Sequence, residues 1–145
     1  MKIKKIEFWY NSLWAYYGEI CIEIDSGKVR FKTNFDYDKR MFSDFHIKCM
    51  CNQNKLPIHE SFFTVHPSQS NRFAQYAERV FSWLPYYGKG HCIDGQYWSL
   101  SVELSDGTTY KCIGENGAPD DFNDFVEQLE KLIGKQIAYR PSCSQ

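Results

Sequence analysis

The sequence predicts an α+β domain: an antiparallel β-sheet built from hairpins, with two to three helices packed on one face. Three observations carry this expectation. Two regions of apolar–polar alternation each contain a glycine turn, at Ser26-Gly27 and Asp106-Gly107. Two later stretches, residues 73–84 and 122–133, repeat their apolar residues at helical spacing. The order of these elements lacks the βαβ alternation of a doubly wound fold, and no Gly-rich phosphate-binding fingerprint occurs.

Each element has its own justification. In residues 2–10, Ile6, Phe8 and Tyr10 alternate with Lys5, Glu7 and Trp9, as in a half-buried strand. In residues 16–25, Ile20, Ile22 and Ile24 alternate with Cys21, Glu23 and Asp25; in residues 28–33, Val29 and Phe31 alternate with Lys28, Arg30 and Lys32. A two-residue loop at Ser26-Gly27 sets Ile24 opposite Val29 and Ile22 opposite Phe31, which places all four on one face. Residues 36–50 carry a weaker helical pattern, with Met41, Phe42 and Phe45 on one side, and residues 61–66 suit a short strand. Phe73, Tyr76, Ala77, Val80, Phe81 and Leu84 form a helical stripe that Ser68 or Ser70 can cap and Pro85 ends. Trp98, Leu100, Val102 and Leu104 then alternate with serines and Glu103. A three-residue loop, Ser105-Asp106-Gly107, sets Val102 opposite Tyr110 and Leu100 opposite Cys112; a two-residue loop would bring Lys111 onto the apolar face. The last helix carries Phe122, Phe125, Val126, Leu129, Leu132 and Ile133, with Pro119 at its first position, Asp120 and Asp121 at its positive end and Gly134 as its stop.

The chain has 145 residues, 43% hydrophobic and 24% charged, which suits one globular domain over residues 1–139 and a flexible tail over 140–145. Net charge is −1, from 17 basic and 18 acidic residues, which argues against a strongly basic nucleic-acid binder. Apolar runs are far shorter than the roughly 20 residues that span a bilayer. Lys2, Lys4 and Lys5 are not followed by an apolar stretch of signal-peptide length, so a cytoplasmic location is expected. The six cysteines, Cys21, Cys49, Cys51, Cys92, Cys112 and Cys143, are then expected to be free thiols.

One pattern extends through residues 84–133. Asp94-Gly95 closes a looped segment and Trp98-Ser99-Leu100 opens a strand. Asp106-Gly107-Thr108 turns it, and Gly114-Glu115-Asn116-Gly117-Ala118-Pro119 leads to Phe122, Phe125 and Leu129. This pattern resembles a family of small, uncharacterised proteins found in Firmicutes and similar gut bacteria. The family usually carries a bulky residue directly before the proline, where this chain has Ala118. The match covers about a third of the chain. It implies a strand pair, a turn and a helix start in a bacterial protein, and it brings no activity with it.

Aromatic residues supply the candidate site. The chain has 11 Phe, 10 Tyr and 4 Trp; an aromatic-rich core in a β-containing domain accounts for most of them, and the clusters stand apart. One cluster holds Trp83, Tyr86, Tyr87, Tyr97 and Trp98; alternation turns Trp98 inward and Tyr97 outward. Another crowd holds Trp9, Tyr10, Trp14, Tyr16 and Tyr17. Tyr and Trp in loops anchor protein interfaces because they bury much area at small entropic cost. Trp83, Tyr86, Tyr87 and Tyr97, with Asn116 and Asp120 beside them in the sequence pattern, are therefore the expected partner-binding residues. The expected function is a non-enzymatic, cytoplasmic protein-binding module of bacterial or phage origin. It would act as an inhibitor or immunity-type protein, neutralising a toxin or a defence nuclease as an anti-CRISPR does, with no cofactor.

Two other chemistries compete. His46-x-x-Cys49-x-Cys51 offers zinc ligands, and His91-Cys92 in a Gly-rich loop offers a thiol, so a small zinc- or thiol-dependent enzyme is one alternative. A tetrahedral site needs about four ligands, which this spacing alone does not provide. Asp120, Asp121, Asp124 and Glu115 form an acidic cluster, which helix-end electrostatics accounts for. A stripe of Lys2, Lys4, Lys5, Lys28, Arg30 and Lys32 with nearby aromatics gives a weaker alternative, a single-stranded nucleic-acid binder.

Overall fold

Alternating apolar residues become strands where their inward row can be covered. The computed structural model describes residues 2–12, 17–34, 58–88, 96–135 and 137. Its strands are β1 (Ile3–Ser12), β2 (Tyr17–Glu23), β3 (Lys28–Thr33), β4 (His59–Thr64), β5 (Tyr86–Gly88), β6 (Gln96–Leu104) and β7 (Thr109–Glu115). The helices are α1 (Pro67–Ala77), continued by a 3-10 turn (Glu78–Ser82), and α2 (Phe122–Ile133). The strands form one seven-stranded sheet in the order β4-β3-β2-β1-β6-β7-β5. Every neighbouring pair is antiparallel except β5 and β7, which run parallel. The sheet is thus mixed, and the expectation of a wholly antiparallel one is corrected at this edge. β5 enters from the 3-10 turn rather than from a hairpin, and the Ile113 N–H donates to the Pro85 carbonyl at 2.9 Å to dock it against β7.

The first hairpin turns differently from expectation. Ile22 faces Val29 and Ile20 faces Phe31, two residues away from the register of a two-residue loop. The turn spans residues 24–27: Gly27, at φ 72°, donates its N–H to the Glu23 carbonyl at 2.9 Å. Ile24 remains bonded to β1, through its N–H to the Lys4 carbonyl at 3.0 Å, so the chain cannot reverse before it. A slip of two preserves the inward face, and Ile20, Ile22, Ile24, Val29 and Phe31 are all buried. The second hairpin has Leu100 opposite Cys112 and Val102 opposite Tyr110, with Gly107 at φ 90° closing the three-residue loop onto the Leu104 carbonyl.

Both helices depart from expectation at their ends. His66, rather than Ser68 or Ser70, caps α1: its Nδ1 accepts the Ser68 N–H at 3.1 Å, and Gln69 Oε1 accepts the His66 N–H at 3.3 Å. Ser70 is buried, and its hydroxyl donates to the Ile24 carbonyl at 2.5 Å, tying the helix to the first turn. After Ala77 the winding tightens to three residues per turn. The stripe rotates with it: Val80 stays buried, while Phe81 and Leu84 reach 38% and 59% exposure. Pro119 lies before α2, not at its first position; its carbonyl accepts the Phe122 N–H at 3.0 Å. Gly134 at φ 69° ends α2 as expected.

The core fills the space between the strands' inward row and the helices. Phe8 meets Phe122 and Phe125 of α2 at ring-centroid distances of 5.9 and 6.4 Å, and Phe73 of α1 meets Phe125 at 5.6 Å. Tyr10 faces Trp98 across β1–β6, flanked by Gly18 on β2 and Gly114 on β7. A Cβ at Gly18 would fall within the Tyr10 ring, and one at Gly114 within the Trp98 indole. The Trp98 indole N–H donates to the Gly117 carbonyl at 2.8 Å. The weak helical pattern of residues 36–50 and the tail of residues 140–145 lie outside the described residues.

Two stability measurements follow from this packing. Gly114→Ala should lower unfolding free energy by about 1–3 kcal/mol, the usual cost of overpacking, read as a lower denaturant midpoint. His66→Ala should lower it by about 1 kcal/mol through loss of the cap.

Candidate protein-binding edge

The short strand β5 divides two neighbouring tyrosines between opposite sides of the sheet. Tyr87 turns toward the core: its ring lies 6.2 Å from Trp98, and its hydroxyl accepts the Leu84 N–H at 2.9 Å. Tyr86 turns outward and is 51% exposed. Its hydroxyl donates to Glu115 Oε2 at 3.3 Å, and its ring covers Gly88, where a Cβ would collide with it. Loss of water around the phenol, with the Glu115 charge added, pushes the Tyr86 pKa up. Tyr86 pairs in register with Ile113 of β7, which is 48% exposed. Tyr97 is half-buried and stands opposite Glu115 across β6–β7, on the same face as Tyr86. Leu84, Tyr86 and Ile113 thus present apolar surface at the β5 edge, with a carboxylate beside the tyrosine.

Other expected binding residues have internal roles. Trp83 is buried, and its indole N–H donates to Asp121 Oδ1 at 2.9 Å. Asp121 also faces Arg79 at 3.6 Å; Arg79 lies 3.8 Å from Asp124 and 3.7 Å above the Tyr76 ring. Tyr76 completes the group by donating to Asp124 at 2.6 Å. These acids clamp the start of α2 to the end of α1. Asn116 is buried at φ 59°. Its Oδ1 accepts the Gln96 N–H at 2.8 Å and its own N–H donates to the Gln96 carbonyl at 2.8 Å. Trp83 and Asn116, expected to touch a partner, are both buried with their side chains bonded inside the fold, at the helix ends and at the turn. Asp120 is exposed, and Tyr87 is half-buried.

Sequence reasoning passed over Leu84 and Ile113. The parity of β7 carries the signal for Ile113, since Tyr110, Cys112 and Gly114 share the inward row and leave Ile113 outward. Leu84 had no such signal, because its exposure follows from the 3-10 tightening before it.

In the second aromatic crowd, Tyr10 is buried and Trp9 half-buried; Trp14 and Tyr16 lie outside the described residues. Tyr17 donates to Glu19 at 2.8 Å. Burial foremost, then the bond to Glu19 and its charge, pushes the Tyr17 phenol up to about 12. His46, Cys49, Cys51, His91 and Cys92 also lie outside the described residues. Among the described residues, no group of three His, Cys, Asp or Glu could hold a metal ion. Burial pushes the Cys21 and Cys112 thiols up, which disfavours the reactive thiolate. The basic stripe is interleaved with acids: Lys2 pairs with Asp25 at 2.7 Å, Lys5 with Glu7 at 3.1 Å, and Lys32 with Glu60 at 3.6 Å. Arg30 lies between Glu19 at 3.7 Å and Glu60 at 3.9 Å. No helix among the described residues is long and apolar enough to cross a membrane.

The fold and site define an α+β protein with an apolar, tyrosine-centred sheet edge. No protein-family model, no curated protein and no solved structure matches the chain.

The raised tyrosine sets an alkaline limit. Native Tyr17 keeps its proton up to about 12, whereas the unfolded phenol loses it near 10.0. Its contribution to stability is full below pH 10.0 and is lost as the pH rises toward 12. A denaturation series should show stability falling across that window, with a smaller fall in Tyr17→Phe.

Proposed function

We propose that this protein is a cytoplasmic, non-enzymatic binding module that blocks another protein sterically, in the manner of an immunity protein or an inhibitor of a defence nuclease. The observation that carries this reading is Tyr86, half exposed on a strand that its neighbours hold in place. Exposed Leu84 and Ile113 extend the apolar surface. A tyrosine whose ring lies over Gly88 and whose hydroxyl is bonded to Glu115 meets a partner with less rotamer entropy to lose, which suits an interface anchor. Glu115 beside it suits a partner pocket rimmed by Lys or Arg, as in a cleft that normally receives nucleic acid. Placing a bulky tyrosine in such a pocket excludes the pocket's own ligand without any chemical step. The acids spread through the basic stripe favour this reading over direct nucleic-acid binding by the chain itself.

A partner interface of ordinary size buries roughly 800 Å² on each side, more than the three apolar side chains supply. Tyr97, Asp120 and the residues around Tyr87 contribute the remaining polar rim.

Affinity capture from host lysate with the native chain, Tyr86→Ala and Ile113→Ser tests this proposal. One stoichiometric protein should be retained by the native chain, with binding weakened by about 2 kcal/mol or more in Tyr86→Ala, an anchor-sized loss. Circular dichroism should show both variants folded. Retention of the same partner by Tyr86→Ala at native affinity would remove the anchor.

A further inference from the structure

We infer that β4, at the sheet margin opposite the Tyr86 edge, pairs with β4 of a second copy of this chain to form a two-fold dimer with a continuous sheet. β4 pairs with β3 on one side, and among the described residues no strand lies beyond it. The direction of its free backbone groups follows from one hydrogen bond. The Val65 N–H donates to the Gly27 carbonyl at 2.8 Å, and Gly27 and Val65 extend the register in which Lys28 faces Thr64. Bonded and non-bonded pairs alternate along an antiparallel ladder. Val29–Phe63, Phe31–Ser61 and Thr33–His59 are therefore the bonded pairs, and the N–H and C=O groups of Glu60, Phe62 and Thr64 point away from β3.

Phe62 stands in the middle of that outward row. It is 71% exposed, and Ile58, just before the strand, is 57% exposed. An exposed apolar edge with aligned donors and acceptors is a template for another strand. A two-fold axis at Phe62 sets Phe62 opposite its own copy and Glu60 opposite Thr64 on either side. All three outward residues then form bonded pairs, and every inward-facing side chain stays on the inward face.

Charge selects a second copy as the occupant. On β3, Arg30 and Lys32 already face Glu60, whereas Lys28 makes no ion pair among the described residues. In the two-fold register the second copy's Glu60 lies across the short Thr64 side chain from Lys28. The joint thus carries a Lys28–Glu60 contact at each end and one phenylalanine pair on the axis, and every off-axis contact occurs twice, as an isologous interface requires. A joint made by one strand from each copy is small, so the dimer is concentration-dependent.

Analytical ultracentrifugation of the full chain from micromolar to millimolar concentration tests the inference. The average mass should climb from one chain toward two. Amide hydrogen exchange at Glu60, Phe62 and Thr64 should slow over the same range. Phe62→Pro removes an outward N–H that β3 does not use, so it should keep the chain folded and monomeric throughout. Lys28→Glu leaves the edge backbone intact and should weaken dimerisation several-fold. A chain that stays monomeric at millimolar concentration overturns the inference. So does a dimer that forms equally well in folded Phe62→Pro and Lys28→Glu, or a monomer whose β4 amides become protected only when a different protein is bound.

Discussion

Two aromatic side chains laid over two glycines hold the centre of this sheet in register. Tyr10 and Trp98 face each other on β1 and β6, and the positions flanking them on β2 and β7 are Gly18 and Gly114. Neither ring would fit if its neighbour carried a Cβ. Sliding β2 or β7 by two residues would keep the polarity of each face, so alternation alone does not choose among such registers. It would also replace glycine with a side chain under a large ring. Steric exclusion therefore makes a choice that hydrophobicity leaves open.

The same row positions the candidate binding edge. Trp98 contacts Phe122 at 4.6 Å, Trp83 at 6.0 Å and Tyr87 at 6.2 Å, and its indole holds the Gly117 carbonyl. Through these contacts it meets the start of α2, the end of the 3-10 turn, β5 and the turn after β7. Tyr87 locks inward, and strand alternation then sends Tyr86 outward. The exposed tyrosine is thus a consequence of core packing on the other side of the same strand.

Much of this was legible in the sequence, and the misses share a cause. Alternation and helical spacing locate β1, β2, β3, β6, β7 and the apolar stripe of α2, because one face of each must be covered whatever the neighbours are. The loop at Asp106-Gly107 was readable because only one loop length kept Lys111 off the apolar face. The loop at Ser26-Gly27 was not, because both candidate registers place the same isoleucines inward, and the choice rests on the bond from Ile24 to Lys4 in a different strand. His66 as a cap, the parallel seat of β5 and the tightening after Ala77 likewise depend on tertiary contacts. At the site, parity alone turned Tyr97 and Trp98 to opposite sides correctly. The burial of Trp83 and Asn116 was hidden because their partners, Asp121 and Gln96, are distant in the chain.

The position of β1 has a consequence for how the chain reaches this state. β1 is flanked by β2, which follows it at once, and by β6, whose Leu100 meets Phe8 only after about 90 further residues. The strands β1 to β3 can assemble early, but one margin of that meander, carrying Ile6, Phe8 and Tyr10, waits for a distant segment. Closing so long a loop slows the search, and an unsatisfied apolar margin in the meantime is a point of self-association. The arrival of β6 is thus both the step that closes this margin of the meander and the step against which misassembly competes.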